Sequence, residues 1–258
     1  MDKIVFFDID GTLLDHEKKL PASTKRSIKI LQDNGVYVAI ATGRAPFMFE
    51  NLRKELNIDS FISFNGQYVV FENEIIYKNP LSKQYLRQLV DFSEQNNHSL
   101  VFMNDRLMKA NVGHDSAIEK SLKSLEFGHP EYDEFFYEHK DIYQVLLFCE
   151  QNEEEIYKVK YPHFHFIRWH EFSLDIIPNG GSKAEGIKKM IARLGFEMED
   201  VYAFGDGLND IEMLETVGNG VAMGNGHELA KKAATYETSS VEEDGIFKGL
   251  KKLGLISS

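Results

Sequence analysis

Residues 3–12 read KIVFFDIDGT, and the stretch changes character at its centre. Residues 3–8 form a short β-branched and aromatic run with no polar alternation, which reads as a buried strand. It ends in Asp8-Ile9-Asp10-Gly11-Thr12. Downstream, residues 22–33 follow Pro21, carry apolar positions at Ile28, Ile30 and Leu31, and stop at Asn34-Gly35, which predicts a helix. VYVAIAT (36–42) is a second buried strand, a helix begins soon after Gly43, and FISF (61–64) is a third strand. The order is βαβαβ, and the strands are too apolar to face water on either side. That argues for a parallel sheet covered by helices.

The texture then changes. YVVFENEIIYKN (68–79) holds two β runs around a Glu-Asn turn and predicts a hairpin. From about 80 to 181 the pattern is mixed, with a helix over 82–96 and strands at 99–103, 143–148, 164–169 and 173–177. Gln151 to Lys160 reads as an exposed helix, and 112–140 has no clear period. After Gly180-Gly181-Ser182 the earlier rhythm returns, with helices over 183–194, 209–216, 227–234 and 243–253 and strands at 201–204 and 219–223. The expected fold is α/β: a doubly wound, Rossmann-like parallel-sheet core from 1–81 and 182–258, with an α+β domain inserted over 82–181. Asn79-Pro80 and Gly180-Gly181 are the expected linkers.

Composition narrows the function. The 258 residues sit at the upper limit for one core, and 43% hydrophobic with 27% charged residues excludes disorder. Lys plus Arg number 29 and Asp plus Glu 41, a net charge of −12. Such a chain is a poor partner for nucleic acid, whose affinity comes mainly from Lys and Arg, and it lacks a basic patch for an anionic membrane. A phosphorylated small molecule remains compatible, because one local cation reverses the field in a pocket. No apolar run approaches the ~20 residues of a membrane span. Asp8 and Asp10 come too early for a signal peptide, and the single Cys149 forms no internal disulfide, so a cytoplasmic protein is expected.

In open parallel sheets, ligands bind at the carboxyl ends of strands. The residues there are Asp8 to Thr12, Thr42-Gly43-Arg44 and Gly205-Asp206-Gly207-Leu208-Asn209-Asp210, with Ser182-Lys183 opening a helix nearby. Asp-x-Asp at a strand end is expected to place both carboxylates on one face, where they repel unless a cation sits between them. With Asp206 added, the site is hard and oxygen-rich, suited to magnesium rather than zinc. Thr42, the amide of Gly43, Lys183 and Asn209 suit phosphate oxygens.

This set resembles the haloacid dehalogenase superfamily of phosphotransferases, and within it the Cof-type branch. The four motifs stand in order as Asp8-Ile9-Asp10-Gly11-Thr12, Thr42, Lys183 and GDGLND (205–210), followed by Met223-Gly224-Asn225. The resemblance spans the whole chain. Thr12 to Thr42 is too short to hold a folded insertion and Thr42 to Lys183 is not, so the inserted domain is expected after the second motif, as a lid. The resemblance implies Asp8 as nucleophile and Asp10 as general acid and base. It implies magnesium held by Asp8, the backbone carbonyl of Asp10 and Asp206, and a phosphoryl group held by Thr42, Gly43, Lys183, Asn209 and the amide of Ile9. Asp210 then orients Lys183 or a metal-bound water. The implied activity is hydrolysis of small phosphorylated metabolites, sugar phosphates among them. A phosphomutase and a non-catalytic magnesium and phosphometabolite binder are the alternatives. A monomer or weak homo-oligomer is expected.

Plainer readings compete for some residues. Counted as a calcium loop from Asp8, the glycine falls at position four and Lys19 at twelve, which does not match. Gly218, Gly220 and Gly224 miss the dinucleotide spacing by one residue. His163, His165 and His170 fit a half-buried strand better than a zinc site. Arg44 suits either a substrate contact or a surface ion pair. Asp15 reads as a surface charge, and Trp169, Tyr132, Phe135, Phe136 and Tyr137 as core of the inserted domain. Lys183 opens a helix, where a cation is disfavoured, and that marks it as functional.

Overall fold

A computed structural model describes residues 3–257. The chain begins β1 (Ile4–Phe7), α1 (Ala22–Asp33), β2 (Tyr37–Ala41), α2 (Glu50–Leu56), β3 (Ser60–Ser63), β4 (Tyr68–Phe71) and β5 (Glu74–Lys78). It continues α3 (Lys83–Gln95), β6 (Ser99–Met103), β7 (Met108–Ala110), α4 (Ser116–Lys123), α5 (Phe136–His139), β8 (Gln144–Phe148), α6 (Glu155–Lys160), β9 (Phe164–His170) and β10 (Ser173–Pro178). It ends α7 (Lys183–Leu194), β11 (Val201–Gly205), α8 (Ile211–Thr216), β12 (Asn219–Ala222), α9 (Glu228–Ala233), β13 (Tyr236–Glu237) and α10 (Gly245–Lys252). Two compact units result. One holds the chain up to Arg44, Phe49–Lys78 and everything from Ser182 onward; the other holds Ala45–Met48 and Asn79–Gly181.

The first unit is built on one sheet in the order β13-β12-β11-β1-β2-β3-β4-β5. All its pairs are parallel except β3 with β4 and β4 with β5. On one face, Ile4, Phe6, Ala39, Ala41, Val201 and Ala203 pack with Ile187 and Met190 of α7 and Met213 and Leu214 of α8. The alternate residues Val5, Phe7, Ile40 and Phe204 are equally buried, so neither face meets water. The hairpin of β4 and β5 turns at Glu72-Asn73, both in the left-handed region at φ 47° and 65°, as a two-residue connection that matches strand twist requires.

The second unit is a five-stranded antiparallel sheet, β7-β6-β8-β10-β9. Leu86, Leu89 and Val90 of α3 and Tyr157 of α6 pack against Leu100, Phe102, Val145, Leu147, Leu174 and Ile176. Tyr157 is fully buried, so the 151–160 helix is not exposed throughout. The aperiodic 112–140 segment contains α4 and α5. Of its aromatics, Phe136 and Tyr137 are buried, while Tyr132 and Phe135 are over half exposed and do not belong to the core. Side chains turn inward from α4, at Ile118 and Leu122, and from α5, at Phe136 and Tyr137. Strands β7 and β13 have no counterpart in the sequence pattern, being three and two residues long. The expected helix at 209–216 is a short 3-10 turn, Leu208–Asp210, leading into α8.

One close approach fixes where α7 begins. After β3 the chain passes through Phe64, Asn65 and Gly66 at φ 52°, 50° and 96°, three left-handed residues in a row. A side-chain carbon on Gly66 would collide with the carbonyl oxygen of Ser182, and one built on Gly186 would come within 3.1 Å of the Gly66 Cα. The first turn of α7 is therefore pressed against the turn after β3. Gly35 also has positive φ, at 74°, but an added carbon there meets nothing within 4 Å. Gly35→Ala is expected to cost about 1 kcal/mol from backbone strain alone, and Gly66→Ala about 2–4 kcal/mol once overpacking is added. Urea unfolding of the two variants checks the difference; equal losses would refute the close packing at Gly66.

Candidate active site

Strand register assembles the site. Phe7 of β1 lies beside Phe204 of β11 on one side and Ile40 of β2 on the other. Just beyond these strand ends stand Asp8, Asp206 and Thr42, which therefore emerge at one sheet edge. The order β11-β1-β2 also makes β1 the point where the strand order reverses, the usual ligand-binding crevice of such sheets.

Lys183 reaches this edge from the start of α7. It is fully buried, and its Nζ donates to Asp8 Oδ1 at 2.7 Å and Asp210 Oδ1 at 2.6 Å. Burial disfavours the ammonium, but Asp210 and Asp8 outweigh it and hold the lysine charged. The other oxygen of Asp210 accepts from the backbone amides of Asp206 and Gly207, at 2.9 and 2.8 Å. Asp210 thus has both oxygens engaged: one orients Lys183, the other shapes the loop that presents Asp206. Thr12 donates its hydroxyl to Asp206 Oδ1 at 2.7 Å. Carboxylate oxygens of Asp8, Asp206 and Asp210 lie within 4.8 Å of one another. Burial pushes Asp8 well above the ordinary carboxylate range; Lys183 opposes this, while Asp210, Asp206 and Asp10 add to it. Burial likewise raises Asp206, to about 6, despite the Thr12 hydrogen bond. Three carboxylates around one ammonium leave negative charge unbalanced, and all the donors are oxygens. The group fits a hard divalent cation, with Asp8 and Asp206 as the side chains with oxygens to spare.

Asp10 stands apart. β1 ends at Phe7, and the chain turns immediately, with Leu13 N–H donating to the Asp8 carbonyl and Thr12 and Leu14 N–H to that of Ile9. Strand alternation stops at Phe7, so it does not set how Asp8 and Asp10 face each other, although the Asp10 charge still acts on Asp8. The Asp10 carboxylate is held by the Arg44 fork, Nε to Oδ2 at 2.7 Å and Nη2 to Oδ1 at 2.6 Å, and by Lys18 Nζ at 2.6 Å. Burial works against its charged form, but Arg44 and then Lys18 outweigh it and hold the carboxyl below its usual value. Arg44 is therefore committed to an ion pair with Asp10, and its own side chain is 11% exposed.

The remaining candidates line the same edge. Thr42 accepts from the Arg44 amide at 3.1 Å through its hydroxyl, and its carbonyl accepts from the Asn65 amide, also at 3.1 Å. Asn209 donates to Asn65 Oδ1 at 3.2 Å. A side-chain carbon on Gly43 would press on the Asn65 amide group at 2.9 Å. Ile9 is fully buried in the turn after β1.

Two neighbours of the site escaped the sequence. Lys18 sits at φ 60° in a turn organised by Asp15, whose Oδ1 accepts from the amides of Glu17 and Lys19 at 2.9 Å each. Asp15 is a turn-former, not a free surface charge, and its spacing to the two amides was the available signal. Asn65 was signalled by the Asn65-Gly66 pair directly after a buried strand. The histidines of the second unit make no metal group. His163 stacks on Tyr85 with centroids 3.6 Å apart, and among the described residues Asp8, Asp206 and Asp210 form the only cluster of metal-binding geometry.

A family model described as haloacid dehalogenase-like hydrolase matches residues 5–250. The chain belongs to that family. A Bacillus subtilis (strain 168) relative of this haloacid dehalogenase-like hydrolase, named "Putative phosphatase YkrA", is 50% identical over 254 residues, covering 98% of each chain. The solved structure of a hypothetical protein from Geobacillus kaustophilus HTA426 is 58% identical with a TM-score of 0.95, covering 99% of this chain and 100% of that one. That of the subclass IIB sugar phosphatase BT4131 is 31% identical with a TM-score of 0.88, covering 98% and 100%. The haloacid dehalogenase-like fold, with its Rossmann-like core, is accordingly the fold of this hydrolase.

Asp206 makes the hydrolase's metal-free stability pH-dependent. Its folded value near 6 lies above the ordinary 3.8, so the folded state holds this proton more tightly than the unfolded chain. That contribution is full below the unfolded value and is lost as pH rises through about 6. Asp206→Asn, which keeps an acceptor for Thr12, removes the loss. In chelator at pH 8 it is expected to be more stable than wild type, on the order of 1–2 kcal/mol after allowance for solvent screening. The gap should close toward pH 4 in paired urea titrations; a gap that is flat with pH would contradict the raised value.

Proposed function

We propose that this hydrolase is a magnesium-dependent phosphatase of small phosphorylated metabolites, sugar phosphates among them, working through an aspartyl-phosphate on Asp8. The observation that carries the reading is the buried Lys183 ammonium held between Asp8 and Asp210, with Asp206 alongside. A cation beside grouped carboxylates at a strand end supports it, because such a set suits a phosphoryl group and a divalent ion. A sugar phosphatase among the relatives supports the substrate class.

In this reading an Asp8 oxygen attacks phosphorus in line, and the phosphorus–leaving-oxygen bond breaks as the new one forms. Asp10 gives a proton to the leaving oxygen. It then takes one from the water that attacks the aspartyl-phosphate, freeing inorganic phosphate and Asp8. Thr42, the amides of Ile9 and Gly43, Asn209 and Lys183 receive the phosphoryl oxygens. Asp8, Asp206 and the backbone carbonyl of Asp10 would hold magnesium. When bound, the ion supplies charge stabilisation to the phosphoryl oxygens and offsets repulsion between the carboxylates. Arg44 and Lys18 hold Asp10 as a carboxylate, the form that accepts a proton. Donation therefore calls for a second arrangement in which Asp10 has left these two cations. Residues 82–181 carry substrate selection. The enzyme works in the cytoplasm, where the free, buried Cys149 remains a thiol; among the described residues no helix is long and apolar enough to cross a membrane.

Phosphate release from an aryl phosphate tests the reading. Wild type should turn over with magnesium and stop with chelator, and Asp8→Asn should lose all measurable activity. Turnover by Asp8→Asn near the wild-type level would eliminate the nucleophile assignment. Asp10→Asn should lose about 10²–10⁴-fold on alkyl esters and much less on good leaving groups; equal losses on both would remove its acid role.

A further inference from the structure

Met223-Gly224-Asn225 follows β12 and takes no part in the phosphoryl-transfer steps, yet its loop grips both halves of the acidic site. Met223 N–H donates to the Gly205 carbonyl at 3.0 Å, and His227 N–H to the Asp206 carbonyl at 2.8 Å. Asn225 crosses to the other strand end. Its Nδ2 donates to the Gly11 carbonyl at 2.8 Å, and its Oδ1 accepts from the Val241 amide at 2.9 Å. The Gly11 carbonyl belongs to the same peptide plane as the Thr12 nitrogen, and Thr12 is the residue whose hydroxyl holds Asp206 Oδ1 at 2.7 Å. Gly11 itself sits at φ 80°, with the Asp206 carboxylate packed where a side chain would stand. The Gly11–Thr12 peptide thus lies between Asn225, which binds its carbonyl, and the Thr12 hydroxyl, which binds Asp206.

We infer that Asn225 is a positioning residue for the cation site. It locks the Gly11–Thr12 peptide, and through Thr12 it sets the orientation of Asp206 relative to Asp8. The inference rests on the proposed magnesium site. Asn225 is exposed, so its replacement leaves no buried cavity. Its role lies in aligning oxygens on two strands, and misaligned outer partners typically weaken metal binding about 10–100-fold.

The test is calorimetric titration of the full chain with Mg2+ alone, beside thermal unfolding in chelator. Asn225→Ala removes both hydrogen bonds. Asn225→Asp keeps the acceptor for Val241 and removes only the donor to Gly11, and its added negative charge would by itself tighten cation binding. Both variants are expected to bind Mg2+ about 10-fold more weakly or worse. Their metal-free melting temperatures should stay within about 4 °C of wild type. Weakening in Asn225→Asp, against its own charge, isolates the Gly11 link. Wild-type affinity or tighter in both variants overturns the inference alone. A large fall in metal-free melting temperature makes Asn225 merely structural and overturns it as well. A wild-type chain that binds no Mg2+ overturns the magnesium reading and this inference with it.

Discussion

The ammonium of Lys183, sealed between Asp8 and Asp210, is the interaction on which the rest of the first unit depends. A charge taken out of water is costly, and only near-ideal partners on several sides offset it. Here the ammonium and its two partners come from three places in the sequence. The turn after β1 supplies Asp8, the turn after β11 supplies Asp210, and α7 supplies the lysine. The parallel register of β1 with β11 sets the first two, and the press of α7 against Gly66 sets the third. A one-residue slip in that register would move Asp8 away from the ammonium, so the site and the sheet specify each other. The lysine stands at a helix start, where the backbone dipole repels it. It stays there because two carboxylates face it.

Two aspartates, two residues apart, are driven in opposite directions. Asp8 is pushed toward its protonated form by burial and by other carboxylates. Asp10 is pulled toward its ionised form by the Arg44 fork and Lys18. The same side-chain type thus takes opposite shifts within three residues, because one carboxyl is buried among acids and the other is held by two cations. The origin of the difference is the turn that begins at Asp8, beyond which Asp10 meets Arg44 and Lys18 while Asp8 meets Lys183. The same turn brings Thr12 to Asp206, so one short loop both divides the two aspartates and ties β1 to β11.

Much of this was legible in the chain. Uninterrupted apolar runs at 4–7, 37–41 and 201–205 can satisfy their backbone only inside a covered parallel sheet. The carboxylates, Thr42 and Lys183 stand directly after such runs or at a helix start, where an open sheet binds its ligands. What escaped has physical reasons. β7 and β13 are too short to show a period, and they form only because a neighbouring edge offers hydrogen bonds. Tyr132 and Phe135 carry the same apolar signal as Phe136 and Tyr137, and only the path of the loop decides which pair is buried.

By itself, then, the sequence determined the fold class and the chemical inventory of the site, because periodicity and residue type are local properties. Pairing was decided by the tertiary structure. Arg44 and Lys18 find Asp10, Thr12 finds Asp206, Asn225 finds Gly11 and Asn65 finds Asn209 across separations in sequence that carry no local signal. Those contacts exist because strand register and the docking of α7 bring distant backbones within a side chain's reach, and no short stretch of the chain contains that distance.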